Sequence, residues 1–386
     1  MIRTSSALVF VLTACSSGPA PAQNGQAPIR GAQSAVAKPF TAAPVAKFNA
    51  PWAMTFLPDG RMLVTEKAGQ LLLVSADGKQ RAAVAGIPSV DSAGQGGLMD
   101  IVLHPDFANR DQGATNNRRI YFSYSEARDG GKGVVLASGR LLDMDGGPQL
   151  DGFRILYRAT PYVSGNGHYS GRIAFAPDGK LFFTVGERQK FTPAQDKSGT
   201  LGKVLRLNDD GTPAAGNPLA AQGFRPEVWS YGHRNLLGIA FDNKGRLWEQ
   251  EMGPEGGDEV NIIVPAKNYG YPIVSNGRNY GASTDDIPDH STRPEFEAPK
   301  VSWNPVISPA GLIVYSGAMF PAWKGNLFIG GLSSEALIRV SVDGDTAKEA
   351  ERFKMGARIR EVEQGPDGAI WILEDKGRLL KLTPKP

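Results

Sequence analysis

Four polar segments of this chain carry side chains that could do chemistry. Asn166-Gly167-His168-Tyr169-Ser170-Gly171-Arg172 sets a histidine among small residues. With little wall around it, the imidazole is open to a ligand, and an unperturbed pKa near 6.5 suits a general base. A turn histidine that only bonds a backbone carbonyl fits the same residues. Trp229-Ser230-Tyr231-Gly232-His233-Arg234-Asn235 places the planar fork of Arg234 beside the amide of Asn235. That pair suits a carboxylate ligand, or a structural ion pair with a neighbouring element. In Glu251-Met252-Gly253-Pro254-Glu255-Gly256-Gly257-Asp258-Glu259, Gly253 and Pro254 leave carbonyls accessible while acidic groups cluster behind them. Hard cations such as calcium take this mixture of carbonyl and carboxylate oxygens, although the spacing is not that of an EF-hand. A solvated acidic turn has the same composition. Finally, Arg358 and Arg360 share one strand face by the period of two. With Arg234 they could collect a polyanion; without one they are ordinary edge-strand arginines.

Such distant segments need a scaffold that brings loops together. The 386 residues include 47 Gly and 28 Pro, a share that excludes a mainly helical chain, since interior Gly costs about 1 kcal/mol and Pro about 3 relative to Ala. Disorder is excluded by 41% hydrophobic residues. A formal charge of +3 is too small and too evenly spread for a nucleic-acid binder. The single Cys forbids an internal disulfide or a thiolate metal cluster. A turn followed by an apolar run recurs as LPDGRMLVTE, RRIYFSYSE, APDGKLFFTVGE, DNKGRLWEQE, WKGNLFIGGL and GPDGAIWILED. The strands start near 62, 120, 181, 247, 327 and 370, a mean step of about 62 residues. Each step has room for four short strands, so the repeat predicts an all-β, six-bladed β-propeller of four-stranded antiparallel blades. Two packed β-sandwiches are the rival architecture. The longest step holds a Gly- and Asn-rich stretch over 268–301, read as a loop excursion.

Taken together and in order, GQGGL, HPDF, HYSGR, GHRN, GPEGGDE, NYGYP and ARIRE resemble the soluble pyrroloquinoline quinone (PQQ) sugar dehydrogenases. The resemblance is to the aldose sugar dehydrogenases of the glucose/sorbosone dehydrogenase group, and it runs from about Pro51 to Leu382. It implies a PQQ- and calcium-dependent enzyme that oxidises an aldose at the anomeric carbon to a lactone, by hydride transfer to the quinone. His168 would be the base that takes the anomeric hydroxyl proton. Gln95, Arg234 and Asn235 would grip cofactor or sugar, with Arg234 near the reactive carbonyls. Calcium would take the Gly253 and Pro254 carbonyls, and Glu259 with the Tyr269 carbonyl would hold a second, structural ion. Asp258 is expected beside the sugar or His168. Arg358, Arg360 and Asp375 match cofactor-binding positions, and Trp303 is a candidate stacking wall. PQQ carries three carboxylates, which three arginines and a calcium would offset. Met252 departs from the polar residue of relatives, Glu187 from a common Asp, and Glu361 and Glu374 from Asp and Thr; no Lys occupies 332–336. A calcium-dependent propeller hydrolase such as a lactonase, and a non-catalytic binding propeller, are the competing classes.

The beginning of the chain is distinct. Met1-Ile2-Arg3, the apolar run from Ala7 to Leu12 and Leu12-Thr13-Ala14-Cys15 look like a bacterial lipoprotein signal over residues 1–14. Residues 15–44, rich in Ala, Pro, Gly and Ser, read as a tether, with the folded part over 45–386. The implied setting is periplasmic, with a lipid anchor on Cys15 as the one membrane attachment and a quinone or cytochrome as electron acceptor.

Overall fold

In the computed structural model, residues 37–109, 116–281 and 286–386 are described. The proposed signal over 1–14, Cys15 and most of the tether lie outside them. Six four-stranded antiparallel sheets follow one another around a ring. Their innermost strands are Pro51–Phe56, Leu98–Leu103, Ser170–Phe175, Leu236–Phe241, Pro309–Val314 and Ile359–Gln364. Each contacts the next and the last contacts the first, closing a six-bladed propeller.

The second strands begin at Met62, Arg119, Leu181, Leu247, Leu327 and Ile370, where the turn repeat puts them. Most are buried along their whole length because each packs between two neighbouring blades. Their turns work as the sequence suggests. Gly60, Gly179, Gly245 and Gly368 all have φ between 77° and 85°, a left-handed backbone that glycine adopts without penalty. The Asp side chains of these turns accept N–H bonds two residues on, as from Arg61 to Asp59 and from Lys180 to Asp178.

The sequence boundary at Val45 needs correction. Phe40–Lys47 is a strand, and it pairs antiparallel with Arg378–Pro384, Phe40 opposite Pro384. The N-terminal strand thus becomes the outermost strand of the sixth blade and joins the two ends of the chain. Its alternation is weak (FTAAPVAK), but Phe40 is buried against Trp323 and Phe353.

One irregularity recurs six times. Every innermost strand carries a register shift near its start: Pro51/Met54, Leu98/Ile101, Ser170/Ile173, Leu236/Gly238, Ala310/Leu312 and Ile359/Glu361. A bulge bends its strand and re-aims side chains. Here the six bulges ring one end of the propeller axis, and the residues within them include Trp52, Met99, Asp100, Arg172, Leu237 and Arg360. Of these, Trp52, Met99, Leu237 and Arg360 line the cavity described next, and Asp100 and Arg172 lie beneath its floor.

Candidate active site

A cavity of about 410 Å³ opens at that end of the axis. Trp52, Met99 and Leu237 come from bulges, Gln95 and Asn235 from the loops before strands, and Arg358, Arg360 and Asp375 from the sixth blade. Lys67, Tyr169, Ser170, Met252 and Leu332 complete much of its wall. Five residues expected from the sequence therefore share one wall: Gln95, Asn235, Arg358, Arg360 and Asp375. Asp375 is bonded by both arginines, at 2.9 Å from Arg358 and at 2.9 and 2.7 Å from Arg360. The two arginines meet there although Arg358 precedes the strand Ile359–Gln364 and Arg360 lies in its bulge, so a shared carboxylate and not a regular strand face brings them together. Three cations, Lys67, Arg358 and Arg360, face one anion, so the wall is net positive.

Beneath the floor lies a buried charge cluster on the axis. Arg172 donates to the Leu237 carbonyl at 2.8 Å and to Asp100 at 3.2 Å, and also bonds Glu361. Its guanidinium sits 4.2 Å from the centre of the Trp52 ring. One side chain thus links the innermost strands of five blades. Burial raises the Asp100 carboxyl and pushes that of Glu361 up to about 7, with Arg172 pulling both back down.

His168 is not the open histidine its small neighbours suggested. It is 6% exposed, because the loop folds back against Glu187, whose carboxylate bonds Nδ1. The His168 N–H donates to the Gln95 side chain at 2.7 Å, which ties the His168 loop to the cavity wall. With Nδ1 taken by a carboxylate, the tautomer carries its proton there, and Nε2 has no partner among the described residues. Burial lowers the imidazole pKa; Glu187 opposes that, and the charges of Arg234 and Arg188 reinforce it. Burial would raise Glu187, but His168 and the N–H groups of Phe191 and Lys190 outweigh it and hold the carboxyl low. His168, Ser170 and Arg188 all have φ between 49° and 61°. Non-glycine residues in that region cost about 1–3 kcal/mol each and cluster where function over-determines geometry.

A second void of about 10 Å³, room for roughly one water-sized atom, adjoins the first through Met252. Arg234, Gly253, Glu251, Glu259, Tyr269 and Tyr271 are among its lining residues. Arg234 donates to the Met252 carbonyl at 3.0 Å and its Nε is buried without a partner. Pro254 lies just outside, its carbonyl 3.3 Å from the Tyr280 hydroxyl. A Cβ on Gly253 would come within 2.3 Å of the Gly256 carbonyl, so the turn tolerates only glycine there.

Behind this void, the register pairs Glu249 with Asn261 and Glu251 with Glu259. Their ionic partners are histidines, His233 to Glu251 at 3.1 Å and His290 to Glu259 at 3.4 Å. Glu249 Oε1 and Asn261 Oδ1 are buried with no partner, and Glu249 with Glu251 and His233 can converge on one ion. Burial, then the neighbouring Glu251, drives the Glu249 carboxyl well above its ordinary value.

Two expectations change. Asp258 is buried with both oxygens committed, accepting from Gly253 at 3.0 Å and from Ile307 and Ser308 at 2.7 Å. Its strand faces it toward main-chain donors, so it staples the Gly253 turn and has no hydrogen bond to His168 among the described residues. Burial pushes its carboxyl up to about 7 against those three donors. Trp303 does not line the cavity. It lies on Val301–Trp303, the outermost strand of the fourth blade, packed in an interblade cluster with its indole N–H on Glu349 at 2.5 Å. Outer strands lie far from the axis, and Trp52 supplies the aromatic floor instead. Lys67 and Trp52 went unnoticed in the sequence, though both flank a recognised strand; Glu187 was visible only as a departure from Asp.

The propeller fold and the chain's similarity to known proteins together define a sugar-oxidising dehydrogenase. The chain belongs to the glucose/sorbosone dehydrogenase family, whose profile matches residues 48–381. It is 39% identical over 347 residues to an aldose sugar dehydrogenase of Escherichia coli (strain K12), covering 88% of this chain and 91% of that one. The apo-form crystal structure of the soluble E. coli aldose sugar dehydrogenase superposes with a TM-score of 0.83 at 38% identity, over 90% of this chain and all of that one. The PQQ-bound form of an aldose sugar dehydrogenase from Streptomyces coelicolor gives 0.71 at 28% identity, over 91% of this chain and all of that one.

Proposed function

We propose that the protein is a calcium- and PQQ-dependent aldose dehydrogenase that oxidises the anomeric carbon to a lactone. The observation that carries the reading is the His168–Glu187 pair, with Nε2 left free, tied through Gln95 to a cation-walled cavity. The chain's own groups fit the implied cofactor. PQQ brings three carboxylates, and the wall offers Lys67, Arg358 and Arg360, with the orphaned Nε of Arg234 in the adjoining void. Trp52 and Met252 supply apolar surface for a fused ring system, and Asn235, 3.9 Å from the Met252 sulfur, an amide beside it. The calcium set fits too. The Gly253 turn and the Glu259–Tyr269 pair border one ion-sized void, and the unpartnered oxygens of Glu249 and Asn261 lie behind it.

When bound, PQQ would supply the two-electron acceptor, and calcium the charge that polarises it. The protein's part is acid–base chemistry and positioning. His168 Nε2 takes the proton from the anomeric hydroxyl, while Glu187 holds the tautomer and stabilises the imidazolium that forms. Arg234 directs positive charge toward the site of reduction. The reading includes export, attachment through Cys15 and a periplasmic quinone or cytochrome as the eventual acceptor.

Reconstitution tests it. Protein stripped of metal is mixed with calcium and PQQ, then given glucose or another aldose and an artificial acceptor dye. The expected result is dye reduction that His168→Ala lowers by at least ~100-fold, the scale of a lost general base, with PQQ binding retained. No dye reduction with any aldose would refute the reading.

A further inference from the structure

We propose that Arg188 is a positioning residue for His168, a role that rests on the reading above. Its guanidinium holds the 165–169 loop, and with it the imidazole, in the orientation where Glu187 takes Nδ1 and Nε2 stays free. Arg188 is 1% exposed and pairs with no carboxylate among the described residues. Its donors go to three main-chain carbonyls: Nε to Gly167 at 2.8 Å, Nη2 to Gly165 at 2.7 Å and Nη1 to Lys132 at 2.6 Å. Its own N–H reaches the His168 carbonyl at 3.3 Å, and its guanidinium lies 3.7 Å from the centre of the Tyr169 ring. Lys132 belongs to the third strand of the second blade, so the arginine clamps the histidine loop to a rigid neighbour.

The loop needs such a clamp. His168 and Ser170 are left-handed, and with no Cβ at Gly186 the His168 carbonyl approaches where one would sit at 2.1 Å. Gln95 holds the loop from the cavity side and Arg188 from behind. A planar fork aimed at three fixed carbonyls while stacked on an aromatic face is a task for arginine; a lysine ammonium cannot repeat it. A buried guanidinium satisfied by carbonyls keeps its full charge close to the imidazole. The charged groups that face the imidazole are Glu187, Arg188 and Arg234.

The test compares Arg188→Lys, which keeps the charge and loses the fork, with Arg188→Gln, which loses both. The proposal predicts that Arg188→Lys lowers kcat by roughly 100-fold, the scale of a misplaced catalytic group, with sugar KM and PQQ Kd changed by less than about threefold. Arg188→Gln additionally moves the acidic limb of kcat/KM to higher pH, because a cation beside the imidazole is gone. A readout independent of turnover is the imidazole N–H resonance of His168 in nitrogen-15 histidine-labelled protein, which has only four histidines. In both variants this low-field signal is expected to shift or broaden while the other three hold. Wild-type kcat and an unmoved His168 signal in either folded variant would overturn the proposal. So would a parallel loss of all four signals and of PQQ affinity, which marks a fold-wide role. If the wild type oxidised no aldose, the functional reading would fail, and the resonance would still decide whether Arg188 holds His168.

Discussion

Two buried charge clusters, one on the propeller axis and one in the fourth blade, are balanced in opposite ways. On the axis, Arg172 answers Asp100 and Glu361 and stacks on Trp52, so charge is met within the protein. In the fourth blade, the ion pairs of Glu251 and Glu259 among the described residues are with His233 and His290, and two buried oxygens, of Glu249 and Asn261, are unpartnered. Burying carboxylates without a counter-charge is costly. The first cluster therefore reads as structure complete in itself, holding the cavity floor. The second reads as a socket for a cation from outside. The axial cavity lies over the first, and the small void that adjoins it through Met252 borders the second.

The contrast is broken most severely at its self-contained end. Arg172→Met leaves Asp100 and Glu361 buried without their partner, which should cost about 3–5 kcal/mol, measured by urea denaturation with and without chelator. If the loss appeared only in chelated protein, the axial cluster would not be self-sufficient. Next in size is metal removal. A chelator should destabilise the wild type by about 3–4 kcal/mol if calcium is present at 100 to 1,000 times its Kd, and calcium should restore it. Glu249→Gln combined with Glu259→Gln should abolish that response while Arg172→Met preserves it. Equal chelator sensitivity in both variants would erase the distinction.

A smaller effect sharpens it. His168 is paired within the protein, so its titration should follow the chain and not the metal. Its pKa is lowered, chiefly by burial, so the imidazole sheds its proton at lower pH than a free one. The base form then persists below the ordinary 6.5, and the acidic limb of kcat/KM should lie below that pH. It should sit at the same place at two saturating calcium concentrations; a limb that moved with calcium would link base and metal directly.

The sequence carried the architecture because the turn chemistry is local. Pro-Asp-Gly before an apolar run announces the second strands at Met62, Leu181 and Ile370, and looser turn-and-strand relatives mark the other three. It could not announce Phe40–Lys47, whose small residues resemble the tether and whose pairing lies more than 300 residues away. The lining of the cavity was legible where a motif names a side chain, as at Gln95, Arg358 and Arg360. It failed where depth in the blade decides. Trp303 and Trp52 look alike in one dimension, yet one sits on an outermost strand and the other in an axial bulge. Glu187 and Arg188 were out of reach for a similar reason: their partners are fixed by how one loop folds back on another.

The central claim is that this cavity is completed by two groups from outside, a calcium ion and PQQ. Equilibrium dialysis of PQQ against metal-stripped protein, with and without added calcium, tests it most directly. The account predicts binding of one PQQ per chain when calcium is present and a much weaker uptake without it. No PQQ bound in either arm would contradict it.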